Sequence, residues 1–289
     1  MITVNSLSGG KTSSYLAAHF PADIDLFSLV CIDCHNAGGF IDKKLKQRVN
    51  DRLQKSIPGV PEFLATAEDV KSLTAVLDLE QHIGRDITWV RSHLGFESLI
   101  QYEKKMIPNK SARFCTYILK IVPIFEYLYM RNCLPCEMRI GYRADEIERR
   151  DSFTESIKYP KASTYHDNPN SKGRKGRFKE WEEIEWLKGH YPLIDNYVTH
   201  GEIIDYWGIH NIEFPEDSNC LFCYWKTAQQ LRKNFDTQLP TMAWAMIMEA
   251  MMDARFKKEL ALADIQKIGI QLGFQYGGGA GCQAGFCTD

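Results

Sequence analysis

Apolar and polar positions along the chain follow two alternating rhythms. Residues 2–7 form a short, β-branched apolar run that ends at once in glycines, the pattern of a strand entering a tight turn. Residues 13–20 carry helical spacing, and Pro21 stops it because proline cannot continue a helix. Residues 26–32 are almost continuously apolar, as expected of a strand buried on both faces of a parallel sheet. Ile41, Leu45, Val49 and Leu53 recur every four residues and so line one side of a helix. Further strands are predicted at 87–90 and 138–140, with a fifth at 191–194. Helical stretches at 96–105 and 116–130 lie between the third and fourth strands, the second interrupted by Pro123. Strands alternating with helices imply right-handed crossovers and an α/β fold with a doubly wound, mostly parallel five-stranded sheet. Ligands of such sheets sit beyond the carboxyl ends of the strands.

The rhythm changes at 152–188. This stretch is polar, with Lys172, Arg174, Lys175, Arg177 and Lys179 followed by Glu180, Glu182, Glu183 and Glu185, and it reads as an insertion or mobile loop. The expected organisation is a nucleotide-binding α/β unit over 1–225 carrying that insertion, then a helical region over 226–289. In the latter, helices are predicted at 241–255 and 257–269, where the methionine-rich stretch 242–252 reads as helix packing. A glycine-rich tail containing Cys282 and Cys287 follows. No internal repeat is visible.

Composition narrows the picture only slightly. With 289 residues, 44% hydrophobic and 25% charged, the chain has the ordinary balance of a globular protein with a full core. A net charge of −2 argues against a globally basic nucleic-acid binder and leaves room for a local basic groove. No signal peptide or run of 18 apolar residues is visible, so the expectation is a cytoplasmic protein without a membrane partner. The nine cysteines then point to metal binding or thiol chemistry ahead of disulfides.

The clearest chemical signal is Ser8-Gly9-Gly10-Lys11-Thr12-Ser13, directly after the first strand. Paired glycines between a strand and a helix turn the backbone so that its N–H groups face an anion. The helix start and the Lys11 ammonium add positive potential, and Ser8, Thr12 and Ser13 add hydroxyl donors. A Walker A loop would need glycine five residues before Gly10, where Asn5 stands, so that motif fails on spacing.

Ser8-Gly9-Gly10-x-x-Ser13 resembles the PP-loop of the adenine nucleotide α-hydrolase superfamily. Arg113-Phe-Cys115-Thr116-x-x-Leu119-Lys120, Gly141-Tyr-Arg143-Ala-Asp145-Glu146, and Tyr191-Pro-Leu-Ile-Asp195 followed by Asn219-Cys220-x-x-Cys223 resemble blocks of its phosphoadenosine phosphosulfate (PAPS) reductase-like branch. In order, these blocks span most of residues 1–235. The sequence departs from the branch in three places. Thr12 stands where aspartate is frequent, the Glu-Cys-Gly-(Leu/Ile)-His tail of the reductases is absent, and the paired cysteines of adenosine phosphosulfate (APS) reductase are reduced to Cys115.

Cys220-x-x-Cys223 can converge on one metal ion or cluster. Cys115, near a helix start where thiol pKa values fall, is a ligand or nucleophile candidate. Two assignments stand side by side. In one, Cys115, Cys220 and Cys223 hold a [4Fe–4S] cluster, with the fourth position open or filled by Cys282 or Cys287. In the other, Cys220, Cys223, Cys282 and Cys287 form a four-cysteine site for zinc or iron–sulfur. Resemblance to APS reductase favours iron. Cys31-x-x-Cys34 and Cys133-x-x-Cys136 share the spacing and read as structural, with Cys34 and His35 weighed as functional candidates at the second strand's end.

Arg143, just past Gly141, is expected to bind phosphate or sulfate through its planar fork. Asp145 orients that arginine or holds Mg²⁺ if ATP is the ligand. Arg113 and Lys120 flank Cys115 and are candidates for an anion or for the cluster's surroundings. The resemblance places adenosine near Asp33 and Asn36. It implies an enzyme that binds ATP on Ser8–Ser13 and performs sulfur transfer, with a nucleic acid among the candidate acceptors and a protein as sulfur or electron donor. Lys11, Arg143, Asp145 and the tail thiols Cys282 and Cys287 carry the expected catalytic roles. The alternatives are a PAPS or APS reductase in which Cys282 or Cys287 attacks sulfur, and a nucleotide-binding regulatory module with structural zinc. The oligomeric state is left open.

Overall fold

A computed structural model describes residues 1–39, 41–152, 154–167 and 175–269, with the side chains of 151–152, 161–167 and 175–180 outside that description. The central sheet is five-stranded and all parallel. It comprises β1 (Thr3–Leu7), β2 (Ile24–Leu29), β5 (Ile87–Arg91), β6 (Cys136–Arg139) and β9 (Leu187–His190), in the order β5-β2-β1-β6-β9. The chain moves outward from β1 through β2 to β5, then returns to the far side of β1 for β6 and β9. The direction therefore reverses between β1 and β6, the place where sheets of this kind bind ligands beyond the carboxyl ends of the strands.

Helices cover both faces of the sheet. α1 (Lys11–His19), α2 (Lys43–Ser56), α3 (Val70–Ile83) and α8 (His200–Gly208) bury Leu16, Val49, Leu53, Leu73, Val76 and Trp207 with Phe27 and Trp89 from the strands. The four-residue spacing of Leu45, Val49 and Leu53 is indeed the buried stripe of α2. On the other face, α6 (Val122–Met130) packs Ile124, Phe125 and Leu128 against Val4, Leu26 and Met138. α7 (Pro192–Asp195) closes that side.

Several segments differ from the sequence expectation. The apolar run 26–32 breaks at Val30: β2 ends at Leu29, and β3 (Cys31–Ile32) pairs antiparallel with β4 (Ala65–Thr66) in a separate small sheet. The fifth strand lies at β9, four residues before the predicted 191–194, because Pro192 stands where a helical turn begins and its fixed φ suits that position. The stretch 152–188, expected as an insertion or mobile loop, carries two strands among its described residues, and Lys172 and Arg174 lie outside them. β7 (Ser156–Asp167) and β8 (Lys175–Glu185) pair as an antiparallel ribbon anchored by buried Ile157, with buried Trp186 just beyond it.

Pro123 does not interrupt its helix. α5 (Phe114–Thr116), a π-helical segment (Tyr117–Ile121) and α6 run on continuously. Proline lacks the N–H that would bond the carbonyl four residues back, and the buried Ser28 hydroxyl instead donates toward Leu119 O and Lys120 O at 3.4 and 3.3 Å. The stretch predicted as a helix over 96–105 is one α-turn, α4 (Phe96–Ser98), followed by a π-helical segment (Leu99–Lys104).

The C-terminal helices α9 (Ala228–Thr237), α10 (Leu239–Met252) and α11 (Leu262–Ile265) share a core with the main sheet's flank. Met242, Trp244 and Met248 pack with Phe96, Phe222 and Ile32. The predicted helix 257–269 is reduced to the single turn α11. No helix among the described residues is long and apolar enough to cross a membrane.

Candidate functional site

The Ser8–Ser13 loop leaves β1 at its carboxyl end and enters α1 without a side-chain cap. Gly10, the residue before α1, has no side chain to cap the helix, so the first-turn N–H groups face outward as they do at anion sites. Gly9 adopts φ +77°, and a Cβ there would lie 3.1 Å from Ser72 Cβ and 3.3 Å from Ser72 O. Glycine is therefore required twice, for the left-handed backbone and for the approach of α3. Ser13 braces the turn: its hydroxyl accepts from Ser8 N at 3.1 Å and donates to Gly10 O at 3.2 Å. Behind the loop, Ser14 Oγ and Ser72 Oγ are buried and lack a hydrogen-bond partner among the described residues. Buried hydroxyls of this kind are costly unless something else binds them.

Arg143 comes to this loop from the other side of the reversal point. β6 ends at Arg139, and the chain passes Gly141 and buried Tyr142 before Arg143, whose Nη1 donates to Thr12 Oγ1 at 3.3 Å. Asp145 lies 3.2 Å from Arg143 Nε and Glu146 lies 3.2 Å from its Nη2, so carboxylates hold the guanidinium from behind. Arg149 pairs with Glu146 at 2.7 Å and stacks over the Tyr142 ring. The orienting role expected of Asp145 thus has a geometric basis; Glu146 shares it, and no role was read for Glu146 from sequence. Trp207 was missed as well. Its Nε1 donates to Lys11 O at 2.9 Å, tying α8 to the start of α1.

Asp33 and Asn36 separate. Asp33 accepts from the buried Arg91 Nη2 at 2.7 Å, a partner with no sequence signal, and it packs against Gly95, where a Cβ would lie 2.3 Å from Asp33 Oδ2. Asn36 and His35 are exposed on a short 3₁₀ turn after β3. Both follow the carboxyl end of β2, the strand next to β1.

A second feature lies at the same end of the sheet. Cys115, Cys220 and Cys223 line one cavity with Val30, Phe96, Lys120 and Phe222. Cys115 sits in the first turn of α5, and Cys220 and Cys223 sit in the turn before α9. Burial pushes the Cys220 thiol well above its ordinary range; Lys120 opposes the shift, while Glu68, Cys223 and Cys115 reinforce it. Among the described residues, no three His, Cys, Asp or Glu side chains are gathered as a metal-holding group. The donor chemistry nevertheless suits a thiophilic metal or cluster: three thiols and a lysine line one cavity. Cys282 and Cys287 lie outside the described residues.

Lys120 is buried and paired at 2.8 Å with Glu68, which is itself fully buried with Oε2 lacking a hydrogen-bond partner among the described residues. Glu68 precedes α3, whose Ser72 abuts Gly9. One short segment thus touches both the loop and the thiol cavity. Arg113, by contrast, is exposed. Cys31 and Cys136 are buried, with thiols pushed up by burial to about 12 and about 11 respectively, in keeping with structural roles.

Comparison of the chain with protein-family models, with curated proteins and with solved structures finds no match.

Proposed function

We propose that this chain is an adenine-nucleotide-dependent sulfurtransferase of the PP-loop, PAPS reductase-like type. The observation that carries the reading is the meeting of Arg143 with Thr12 across the sheet's reversal point. A glycine-turned loop, a helix start without a side-chain cap and an arginine backed by two carboxylates form one anion-binding crevice.

In this reading ATP is the substrate, with its phosphates on Ser8–Ser13 and its adenosine toward Asp33 and Asn36. Lys11 and Arg143 neutralise the charge that builds on the phosphates, and Asp145 holds Arg143 in place or contributes to a Mg²⁺ site. An acceptor oxygen forms a bond to the α-phosphorus as the bond to pyrophosphate breaks, and pyrophosphate leaves with the electron pair. Cys115, Cys220 and Cys223 would hold a [4Fe–4S] cluster, which supplies iron–sulfur chemistry for moving sulfur or electrons. Its shared cavity with Lys120 supports that assignment.

The test is anaerobic purification of the full chain with metal analysis, alongside Cys220→Ser, and a nucleotide assay by mass spectrometry. About four irons per chain, lost in the variant, together with formation of AMP and pyrophosphate, are expected. Stoichiometric zinc without iron would remove the cluster from the proposal. Absence of nucleotide binding by both wild type and Arg143→Ala would remove the rest.

A further inference from the structure

The antiparallel ribbon of β7 and β8 joins eleven residue pairs, and the nucleotide site makes no use of it. One face fixes its root to the body of the protein. Ile157 is buried there, Ile184 joins the same apolar cluster, and Tyr159 packs on Phe125 and donates its hydroxyl to Glu126 at 2.6 Å. Successive strand residues alternate between faces, so the odd-numbered positions of β8 belong to the opposite face. Trp181, Glu183 and Glu185 are exposed on it. The register shift between Pro160 and Ala162 places its extra residue in β7 and leaves the alternation of β8 unbroken. Backbone positions 175, 177 and 179 therefore continue the same face toward the far end, and the sequence puts Lys175, Arg177 and Lys179 there.

This face carries a charge gradient with an indole at its centre. Three cations, then Trp181, then two carboxylates follow at every second residue. Trp181 is 59% exposed and has no ring or hydrogen-bond partner among the described residues. Glu183 accepts from Ser156 Oγ at 2.6 Å, and neither Glu183 nor Glu185 has an ion pair among the described residues. Lys158 stands opposite Glu183 in the register without pairing to it. A two-stranded ribbon left open on one face is marginally stable in water, and the bare indole adds apolar surface to that face.

We infer that a second copy of this chain docks on this face, the two ribbons lying antiparallel about a twofold axis at Trp181. The two indoles then meet at the axis. Lys179 faces the partner's Glu183, Arg177 faces the partner's Glu185, and symmetry repeats each contact. The gradient selects this occupant. A polyanion is repelled by the carboxylate half and a polycation by the basic half, whereas a reversed copy complements both at once. A ribbon about 35 Å long and about 10 Å wide covers on the order of 350 Å² on each partner. That is below the roughly 800 Å² of a standard interface, so the dimer is weak and depends on the tryptophan and the charges.

The experiment is sedimentation equilibrium of the full-length protein at low salt, from about 1 to about 200 μM, a span suited to weak association. A reversible dimer is expected. Trp181→Ser should weaken it about thirtyfold or more, as loss of a central aromatic anchor does. Lys179→Glu and Glu183→Lys should each weaken it roughly tenfold, because either change turns two attractive contacts into two repulsive ones. An equimolar mixture of these two variants should regain the wild-type affinity, since each then offers the charge that the other lacks, and the double variant Lys179→Glu/Glu183→Lys should do the same. Only reciprocal pairing between chains gives that rescue, and a folding defect would not. A monomer across the whole range, a dimer indifferent to Trp181→Ser, or a mixture no tighter than its separate components would each overturn the inference. A monomer that binds an oligonucleotide and releases it on Lys179→Glu would assign the face to nucleic acid instead.

Discussion

Replacing Lys120 by methionine isolates the most exposed weakness of this fold. Lys120 Nζ and Glu68 Oε1 are both buried and 2.8 Å apart, and the second carboxylate oxygen, Oε2, has no hydrogen-bond partner among the described residues. Removing the lysine leaves a carboxylate in the core without its counter-charge, which costs about 3–5 kcal/mol. For a chain of this size the melting temperature should fall on the order of 10 °C. The loss should also depend on pH. Burial raises the Glu68 carboxyl above its ordinary 4.5, while Lys120 pulls it down. A carboxyl raised in the folded state binds its proton more tightly there, so its contribution is fully present below the unfolded value and fades as pH rises through the folded one. Without Lys120 that window extends upward. The deficit of Lys120→Met should therefore be small near pH 4.5 and grow toward neutrality. Thermal unfolding followed by circular dichroism across this range is the assay. Glu68→Met combined with Lys120→Met should recover most of the loss, because two apolar side chains replace the pair. A deficit under about 1 kcal/mol, or a double variant no more stable than Lys120→Met, would refute the reasoning.

Two further outcomes follow from local geometry. Gly9→Ala forces a side chain into left-handed backbone and against Ser72 at 3.1 Å; calorimetry should find ATP binding lost and stability lowered by about 1–2 kcal/mol, and unchanged binding would contradict the loop's assignment. Ser28→Ala removes the hydroxyl that serves Leu119 O and Lys120 O where Pro123 offers no N–H. Chemical denaturation should show a loss of about 1 kcal/mol, and no loss would mean that the π-helical segment satisfies those carbonyls itself.

Much of the frame was legible in the sequence because it depends on local, periodic information. The apolar run of β1, the glycine pair and the buried stripe of α2 each follow from rules that act over a few residues, and alternating strands and helices constrain the sheet to a parallel one. The Ser8–Ser13 loop could be named for the same reason: a turn needs glycine where φ is positive, and Gly9 has it. Where local rules conflict, the sequence misleads. Pro123 signals a break that the Ser28 hydroxyl, donated from a distant strand, makes unnecessary. The polar run 152–188 signals an insertion or loop, yet its described parts, Ser156–Asp167 and Lys175–Glu185, pair across strands as a ribbon beside buried Ile157 and Trp186. Tertiary structure alone decided which side chains meet. Arg143 reaches Thr12 only because the strand order reverses between β1 and β6. Glu68 finds Lys120, Arg91 finds Asp33, and three cysteines from two turns come to share one cavity. Such pairings are set by long-range packing, which places residues dozens of positions apart within one hydrogen bond and leaves no periodicity to read.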